Sequence, residues 1–483
     1  MSETAQRDAA AARGPVDRYF AISARGSTVA RELRGGLVTF MTMAYIVVLN
    51  PIILGNAPDM NGTVLGPGRV AAVTALVAGV LTILMGVVGR YPLALAAGLG
   101  INGFVAGLVI SKTLSWPEVM GLVVIEGVLV TILVVTGFRT AVFNAIPRQL
   151  KTAISVGIGL FIALIGFVDA GFVSRPEQGT VPLQLGVVGQ LTGWPIVVFV
   201  FGVLLMAVLV ARKTRGAILI AIVAATVLAF VVQAIFDIGV APEEPGGWSN
   251  AVPAVPTDPF RLPDLSLIGD VSLFGSFTRI SVLAVILLIF SLMLSDFFDT
   301  MGTVVGVGAE ANLLDEHGRL PGIGRVLFVD SIAAIAGGAS SVSSNTTYVE
   351  STAGVGEGAR TGLASIVTGL LFLLAIFLAP LVEVIPSQAA APALVVVGFL
   401  MMTQVTGIDW KDSGVAIPAF LTIVVMPFTY SIANGIGAGF VSYVVIRVAQ
   451  RRAREIHPLM WVVGALFALY FAIAPIEKLL GLG

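Results

Sequence analysis

The sequence predicts an all-α polytopic membrane protein. Of its 483 residues, 57% are hydrophobic and only 11% are charged, whereas a soluble globular domain usually carries about 25% charged residues. The mean hydropathy is +1.00, and apolar runs recur from residue 36 to the end of the chain. Such runs provide the roughly 20 residues that a helix needs to cross the hydrocarbon core of a bilayer.

Charged and Pro/Gly-rich breaks divide the apolar runs into fourteen predicted spans, numbered in chain order. They cover 36–55, 70–89, 92–111, 118–137, 149–168, 194–211, 216–236, 276–307, 323–339, 342–358, 360–381, 391–406, 414–430 and 432–449. We expect a cytoplasmic tail at 1–35, an extracytoplasmic acidic loop at 237–275, and a C-terminal basic segment with an extra apolar stretch at 450–483. That stretch, 459–477, either crosses the membrane or lies along its surface.

The distribution of lysine and arginine predicts a cytoplasmic N-terminus. If the spans alternate from an inside start, 21 of the 27 basic residues fall inside, where such residues accumulate. The six outside are Arg69, Lys112, Arg175, Arg261, Arg279 and Lys478. The polar start lacks an apolar signal core, so we expect a tail of a cell-membrane protein there.

Two similar stretches indicate an internal inverted repeat. AIPRQLKTAISVGIGLFI from Ala145 and VIPSQAAAPALVVVGFLM from Val384 share Ile-Pro-x-Gln and a glycine near the end of the run. Each opens the fifth span of a seven-span block, 36–236 or 276–449. Because seven is odd, the second block enters from the opposite side. Inverted repeats are typical of secondary transporters, whose binding site lies between the repeats.

The third span of each block is interrupted by residues that break a helix. YPLALAAGLGINGFVAGLVI, from Tyr91, covers nearly all of span 3, and SSNTTYVESTAGVGEGARTG, from Ser343, covers span 10 and the start of span 11. Non-helical backbone at membrane depth persists only where protein or a cavity satisfies its polar groups, so paired interruptions indicate a transporter binding site. Close helix packing is an alternative reason for the glycines, but it does not account for Glu350.

Span 8 carries a polar stripe. Asp296, Asp299, Thr300 and Thr303 stand at i, i+3, i+4 and i+7, which is one helix face. Two carboxylates on that face cannot contact lipid, so we expect the stripe to face the protein interior. A structural hydrogen-bond network between Asp296 and Glu350, or a bracing role for Asp299, is the alternative to substrate binding.

No lysine or arginine lies at mid-span to pair with Asp296 or Glu350, and Asn102 is the only amide or charged side chain between Arg90 and Lys112. A buried carboxylate without a cation avoids its desolvation cost by taking up a proton. The sequence therefore provides a route to proton coupling.

Other polar and aromatic side chains in the spans have structural interpretations. We expect an ion pair between Glu357 and Arg360, and helix-to-helix hydrogen bonds from Glu126 and Asp330. Phe104, Phe297 and Phe298 serve packing or offer a stacking surface to a planar substrate.

Several motifs resemble the nucleobase–cation symporter family 2, and within it the adenine, guanine and hypoxanthine permease branch. They are NTTYVEST (Asn345–Thr352), SDFFDTMGT (Ser295–Thr303), GLGINGF (Gly98–Phe104), TFMTMAYIVVLNP in span 1 and FLTIVVMPFTYSIANGIGAGF from Phe420. The resemblance covers about residues 15–475. It implies two inverted seven-span repeats, with spans 1–4 and 8–11 in a core domain and spans 5–7 and 12–14 in a gate domain. It also implies that spans 3 and 10 are part strand and part helix.

The resemblance implies import of nucleobases with protons and a homodimer. By the motif match, Asp296 and Glu350 take the two acidic substrate positions, and Asn102 takes the polar position of span 3. Asp299 takes a second acidic position. The predicted substrate-binding set is Asp296, Glu350, Asn102, Asp299, Thr300, Phe297, Tyr348 and Val349, with Asp296 and Glu350 as candidates for the coupled proton.

The expected function is proton symport of adenine, hypoxanthine or guanine by alternating access. A carrier of xanthine, uracil or another small substrate on the same fold is the alternative, and sodium coupling stays open. An anion carrier should avoid two carboxylates beside its substrate. The net charge of −1 gives no basic stripe for nucleic acid. Without cysteine, a metal cluster or a nucleophile–base pair, we expect no enzyme and no cofactor beyond the coupling ion.

Overall fold

The computed structural model describes residues 14–136, 146–176, 182–187, 189–241, 244, 246–249, 252–254, 262–314, 320–382 and 384–479. Within these ranges, nine helices are long and apolar enough to cross a membrane, and four shorter apolar helices accompany them. The prediction of a helical membrane protein is confirmed.

Within the described residues, each predicted span overlaps one helix, two successive helices, or a strand followed by a helix. In the first block these are Val29–Met43 with Ile46–Leu54, Pro67–Leu84 with a π-helical turn Met85–Gly89, β1 Leu95–Ala97 with Leu99–Ile110, Trp116–Val135, Arg148–Asp169, Trp194–Ala211 and Ala217–Phe236. A two-stranded hairpin, β2 Val173–Ser174 and β3 Gln184–Leu185, follows span 5.

The second block repeats this order. Its elements are Val282–Glu310, Ile323–Ala339, β4 Asn345–Thr347 with Ser351–Gly356, Gly362–Ala375 with Ala379–Val382, Ser387–Met402, Ser413–Phe428 and Ile432–Ala449. Short helices also lie at Pro15–Phe20 and Ser276–Arg279. The extra apolar stretch forms the helix Pro458–Leu479, which packs along spans 14 and 8.

Side-chain caps fix where several spans begin. Ser115 and Glu118 form a capping box at the start of span 4, in which the Glu118 carboxylate accepts from the Ser115 backbone N–H at 2.8 Å. Ser431 accepts from the Asn434 backbone N–H at the start of span 14. Caps of this kind satisfy N–H groups that have no partner within the helix, so the turns between the spans are defined locally.

The packing of the spans has the symmetry of the predicted repeat. Span 2 packs on span 11 as span 9 packs on span 4, and span 6 packs on span 12 as span 13 packs on span 5. Gly159 of span 5 and Gly398 of span 12, which occupy the same position in the two matched stretches, meet where these spans cross. A Cβ on either glycine would press against the carbonyl oxygen of the other. In these pairs, when two spans pack together, their counterparts in the other repeat, seven places away in the span order, also pack together.

Spans 3 and 10 join through their strands. β1 and β4 pair antiparallel, with Leu95, Ala96 and Ala97 opposite Thr347, Thr346 and Asn345. All six residues are buried. Because the strand backbones hydrogen-bond to each other, non-helical chain is tolerated inside the bundle. The predicted strand-and-helix character of both spans is confirmed.

Candidate functional site

A cavity of about 100 Å³, called here the central cavity, lies between spans 1, 3, 8, 10 and 12. Its lining is Tyr45 from span 1, Leu99 and Gly100 from span 3, Asp299 and Thr303 from span 8, Thr347, Tyr348, Val349 and Glu350 from span 10, and Val397 and Met401 from span 12. Four of the eight predicted substrate-binding residues therefore meet in one cavity: Asp299, Tyr348, Val349 and Glu350.

Glu350 is held where β4 gives way to the short helix of span 10, as the N-cap of Ser351–Gly356. The Tyr45 hydroxyl donates a short hydrogen bond to Glu350 Oε1. Tyr45 reaches this point because span 1 is interrupted between Met43 and Ile46. Among the ion pairs formed by the described residues, none involves Glu350. Its acidic group is therefore oriented by a neutral donor.

Asp299 supplies the second carboxylate of the central cavity, with Thr303 one turn further along span 8. Asp299 interacts electrostatically with Glu350 and with Asp330 of span 9. Two carboxylates in one small enclosed space are both ionised only at a high electrostatic cost. This arrangement can hold a proton, or accept hydrogen bonds from the N–H groups of a ligand.

The other half of the polar stripe faces the protein. Ser344 donates to Asp296 Oδ1 at 3.3 Å, and Asp296 is 1% exposed and not among the residues that line the central cavity. Thr300 donates to Asp330 Oδ2 at 2.8 Å and lies 2.7 Å from the Thr346 hydroxyl. The predicted helix-to-helix hydrogen bond of Asp330 is confirmed. Asp299 lines the cavity and Asp296 does not, although both lie on one helix face, because Asp299 stands about one turn further along span 8.

The remaining predicted residues lie in or behind the wall of the cavity. The Tyr348 hydroxyl donates to the Ala97 carbonyl at 2.5 Å, which fixes its ring, and Val349 is 56% exposed. Asn102 is fully buried, and its amide forms no hydrogen bond with the residues that the structure describes. Phe297 is buried and is not part of the lining. Direct substrate contacts by Asn102, Thr300, Phe297 and Asp296 stay predictions.

The first two residues of the span 3 helix, Leu99 and Gly100, line the central cavity. It begins at Leu99, and the first backbone hydrogen bond into it is from Asn102 N–H to the Gly98 carbonyl, at 2.8 Å. The N–H groups of Leu99 and Gly100 therefore have no acceptor within the helix. A Cβ at Gly100 would come within 2.8 Å of Ile158, so glycine allows span 5 to approach here. The cavity thus combines acceptors with donors.

The predicted ion pair of Glu357 has different partners from the one expected. Glu357 pairs with Arg34 Nε at 2.7 Å and with Arg215. The guanidinium of Arg360 donates instead to the carbonyls of Val355 and Ala359. The helix ends at Gly356, so Glu357 and Arg360 do not lie on one helix face and the expected ion pair is not formed.

Sequence reasoning missed Tyr45, Thr347, Leu99, Gly100, Val397 and Met401. Tyr45 could have been found as a polar group at a break within apolar span 1. Val397 and Met401 are one turn apart on span 12 and have no polar signal. They reach the site through the packing of span 12 against spans 5 and 1, which the sequence of span 12 does not reveal.

Comparisons with known proteins agree with this architecture. A profile of the permease family matches residues 30–437. A guanine/hypoxanthine permease of Bacillus subtilis is 37% identical over 94% of this chain and 98% of its own length. An adenine permease of Escherichia coli is 37% identical over 94% of this chain and 96% of its own length.

Solved structures share the fold at low identity. The transmembrane domain of a cyanobacterial bicarbonate transporter superposes with a TM-score of 0.57 at 15% identity, over 85% of this chain and 96% of that one. The murine Slc26a9 anion transporter in the inward-facing state superposes with a TM-score of 0.58 at 13% identity, over 87% of this chain and 68% of that one.

The family profile and the relatives matched over nearly their full length identify the family, and the solved structures support the fold. The chain belongs to the nucleobase–cation symporter 2 family of permeases, which are membrane transporters and not enzymes.

Proposed function

We propose that this permease imports a purine nucleobase (adenine, hypoxanthine or guanine) across the cell membrane together with a proton. The observation that carries the proposal is the meeting of Asp299, Glu350 and Tyr45 in one small cavity between the strand–helix spans. Relatives named as guanine/hypoxanthine and adenine permeases, matched over nearly their whole length, support the substrate class.

The chemistry of the central cavity suits a purine base. A purine is flat and neutral, with N–H donors and ring-nitrogen acceptors along its edge. Glu350 and Asp299 accept from its N–H groups, and the N–H groups of Leu99 and Gly100 donate to its nitrogens. Tyr348 offers a ring against its face.

Proton coupling follows from the same two acids. Glu350 and Asp299 repel each other when both are charged. Binding one proton neutralises one of the two acids and removes this repulsion. Protonation changes Glu350 from an acceptor to a donor, and thereby changes the hydrogen bonds offered to the base. Asp296 stays a second candidate for the coupled proton, because Ser344 donates to its Oδ1 and a carboxyl group protonated on Oδ2 can still accept that hydrogen bond.

The orientation and assembly belong to the same proposal. The excess of basic residues in alternate segments supports a cytoplasmic N-terminus. Membership of the family supports a homodimer through the gate spans, and the division into core and gate domains.

Uptake of labelled hypoxanthine by cells that lack their own carriers tests the function. We expect uptake that adenine and guanine inhibit, that xanthine and uracil do not, and that stops when the proton gradient is collapsed. Inhibition by xanthine or uracil alone would support the other nucleobase carriers. No uptake of any base would contradict the proposal.

A further inference from the structure

A second and larger cavity, called here the distal cavity, has a volume of about 310 Å³. Phe104 and Gly107 of span 3 and Phe161 of span 5 contribute to its lining, together with Tyr430 from the turn between spans 13 and 14. Tyr470 of the C-terminal helix is a further aromatic residue of the lining. The extra helix thus contributes to a cavity formed by both repeats.

The distal cavity lies on the same helix face as the central cavity. Gly100 lines the central cavity, and Phe104 and Gly107 line the distal one. These residues are four and seven positions apart, so they share a face, and Gly107 lies about 10 Å further along the helix. Span 5 packs beside both cavities, because a Cβ on Gly100 would lie within 2.8 Å of Ile158 and Phe161 lines the distal cavity. We take the two cavities as successive chambers along span 3.

The lining of the distal cavity favours a neutral, flat, hydrogen-bonding solute. Among the residues that the structure describes, it contains no lysine, arginine, aspartate or glutamate. The rings of Phe161 and Tyr430 meet edge to face at 5.0 Å. Asn434, Ser431 and Thr429 add an amide and hydroxyls. An anion has no cation to pair with there, whereas a heteroaromatic base finds ring faces and neutral hydrogen-bonding groups.

We infer that the distal cavity is a second binding site for a neutral nucleobase, occupied in sequence with the central cavity. The Ser111 and Thr113 end of the distal cavity is the entry side if the N-terminus is cytoplasmic. The class of ligand rests on the proposed function, but the existence of the second site rests on the cavity itself. Through Tyr470, the C-terminal helix would contact the base as it enters.

Equilibrium dialysis of the purified full-length protein with labelled hypoxanthine tests this inference. We expect two bases per chain in the unchanged protein and one in Gly107→Leu, whose side chain projects into the distal cavity beside Phe161 and Tyr430. Gly107→Ala should keep both, because its Cβ would meet only ordinary contacts at 3.4 Å or more. Glu350→Gln should lose the central base and keep the distal one. Gly324→Leu, in open space at the start of span 9, is the matched control.

The concentration dependence of uptake is a second test of the distal cavity. Gly107→Leu should raise the half-saturating concentration for uptake by roughly threefold to tenfold, which corresponds to about 0.6–1.4 kcal/mol and to the loss of one ring contact. If Gly107→Leu does not purify as a single species, an azido-purine should still photolabel the peptide containing Tyr470 in the Glu350→Gln protein. Absence of that label would overturn the inference.

The outcomes separate the two proposals. One base per chain, lost in Glu350→Gln and retained in Gly107→Leu, would overturn the second site and leave the proposed function standing. No base bound to any variant would contradict the proposed function and the inference with it.

Discussion

Tyr45 and Glu350 form the contact on which the central cavity depends at the scale of single residues. Glu350 stands at the start of a helix, and Tyr45 comes from the break in span 1. A hydrogen bond to a carboxylate contributes about 1.5–3 kcal/mol, and more is lost when its removal leaves a buried group unsatisfied. The hydroxyl therefore keeps Glu350 in the orientation that a base requires.

Tyr45→Phe removes this hydroxyl and keeps the ring. We expect the affinity for the transported base to fall by roughly tenfold or more, since one charge-assisted hydrogen bond is lost. Equilibrium binding of labelled hypoxanthine to purified protein measures the change. Tyr19→Phe is the matched control, because the Tyr19 hydroxyl donates only to the Val87 carbonyl, at 3.0 Å. Equal affinities for the two variants would contradict a role of Tyr45 at the site.

The acidic residues show how far sequence reasoning reaches at this scale. Glu350 could be identified because a carboxylate in an apolar, glycine-rich span has few structural explanations. The motif match favoured Asp296 over Asp299, but both lie on one helical stripe, and the packing around span 8 decides that Asp299 lines the cavity. Tyr45 lacked a charge and therefore gave a weaker signal than the acids.

Two glycines show what holds the spans together at the scale of elements. Gly159 and Gly398 allow spans 5 and 12 to cross with their backbones in contact. The sequence match paired these two positions, but periodicity alone gives no reason for their contact with each other. The contact follows from the symmetry, because a residue near the axis meets its own counterpart.

Gly398→Ala should destabilise the protein. Its Cβ would press against the Gly159 carbonyl oxygen and lie within 2.9 Å of Ala163 Cβ, and overpacking of a tight contact costs about 1–3 kcal/mol. Thermal unfolding in detergent should show a lower midpoint than in Gly324→Ala, which meets open space. A midpoint equal to that of the control would show that the crossing is looser than described.

The turn before span 13 is tied to the end of span 14. Arg447 Nη2 donates to Asp412 Oδ2 at 2.8 Å, and Asp412 also caps span 13 through the Gly414 N–H. The hydrogen bond from Arg447 holds the pKa of Asp412 below its usual value. Because the folded-state pKa is lower than the unfolded one, the stabilisation is present above the ordinary aspartate pKa. It is lost as the pH falls through the folded-state value.

Asp412→Asn should therefore remove a pH dependence as well as stability. At neutral pH we expect a loss of about 1–2 kcal/mol, less than for a fully buried pair, because the carboxylate is partly exposed. The thermal midpoint of the unchanged protein should fall more steeply below about pH 4 than that of Asp412→Asn. Parallel pH profiles would contradict the ion pair.

At the scale of the whole molecule, the architecture could be predicted because the bilayer constrains it. Hydrocarbon thickness sets the length of each apolar run, so the order of the spans could be read from composition and breaks. The strands of spans 3 and 10 came from the family resemblance, since three residues of strand carry too little pattern. The partners of Glu357 could not be found, because Arg34 and Arg215 are distant in sequence and the helix end redirects the carboxylate.

Single cysteines can be introduced to test the topology without first removing native ones, because the chain contains no cysteine. Asn61→Cys and Arg212→Cys place single thiols at exposed positions after spans 1 and 6. A membrane-impermeant maleimide added to intact cells should label Asn61→Cys, and should label Arg212→Cys only after the cells are opened. The reverse pattern would place the N-terminus outside.

The proposed transport mechanism requires an acid in the central cavity that couples movement of the base to that of a proton. Glu350→Gln keeps the size and polarity of the side chain but cannot exchange a proton, and Glu310→Gln, exposed at the end of span 8, is the matched control. Both proteins are reconstituted in liposomes, and accumulation of labelled hypoxanthine is measured under an imposed proton gradient. We predict accumulation by the unchanged protein and by Glu310→Gln, and none by Glu350→Gln although it elutes as a folded species. Full proton-driven accumulation by Glu350→Gln would contradict the account.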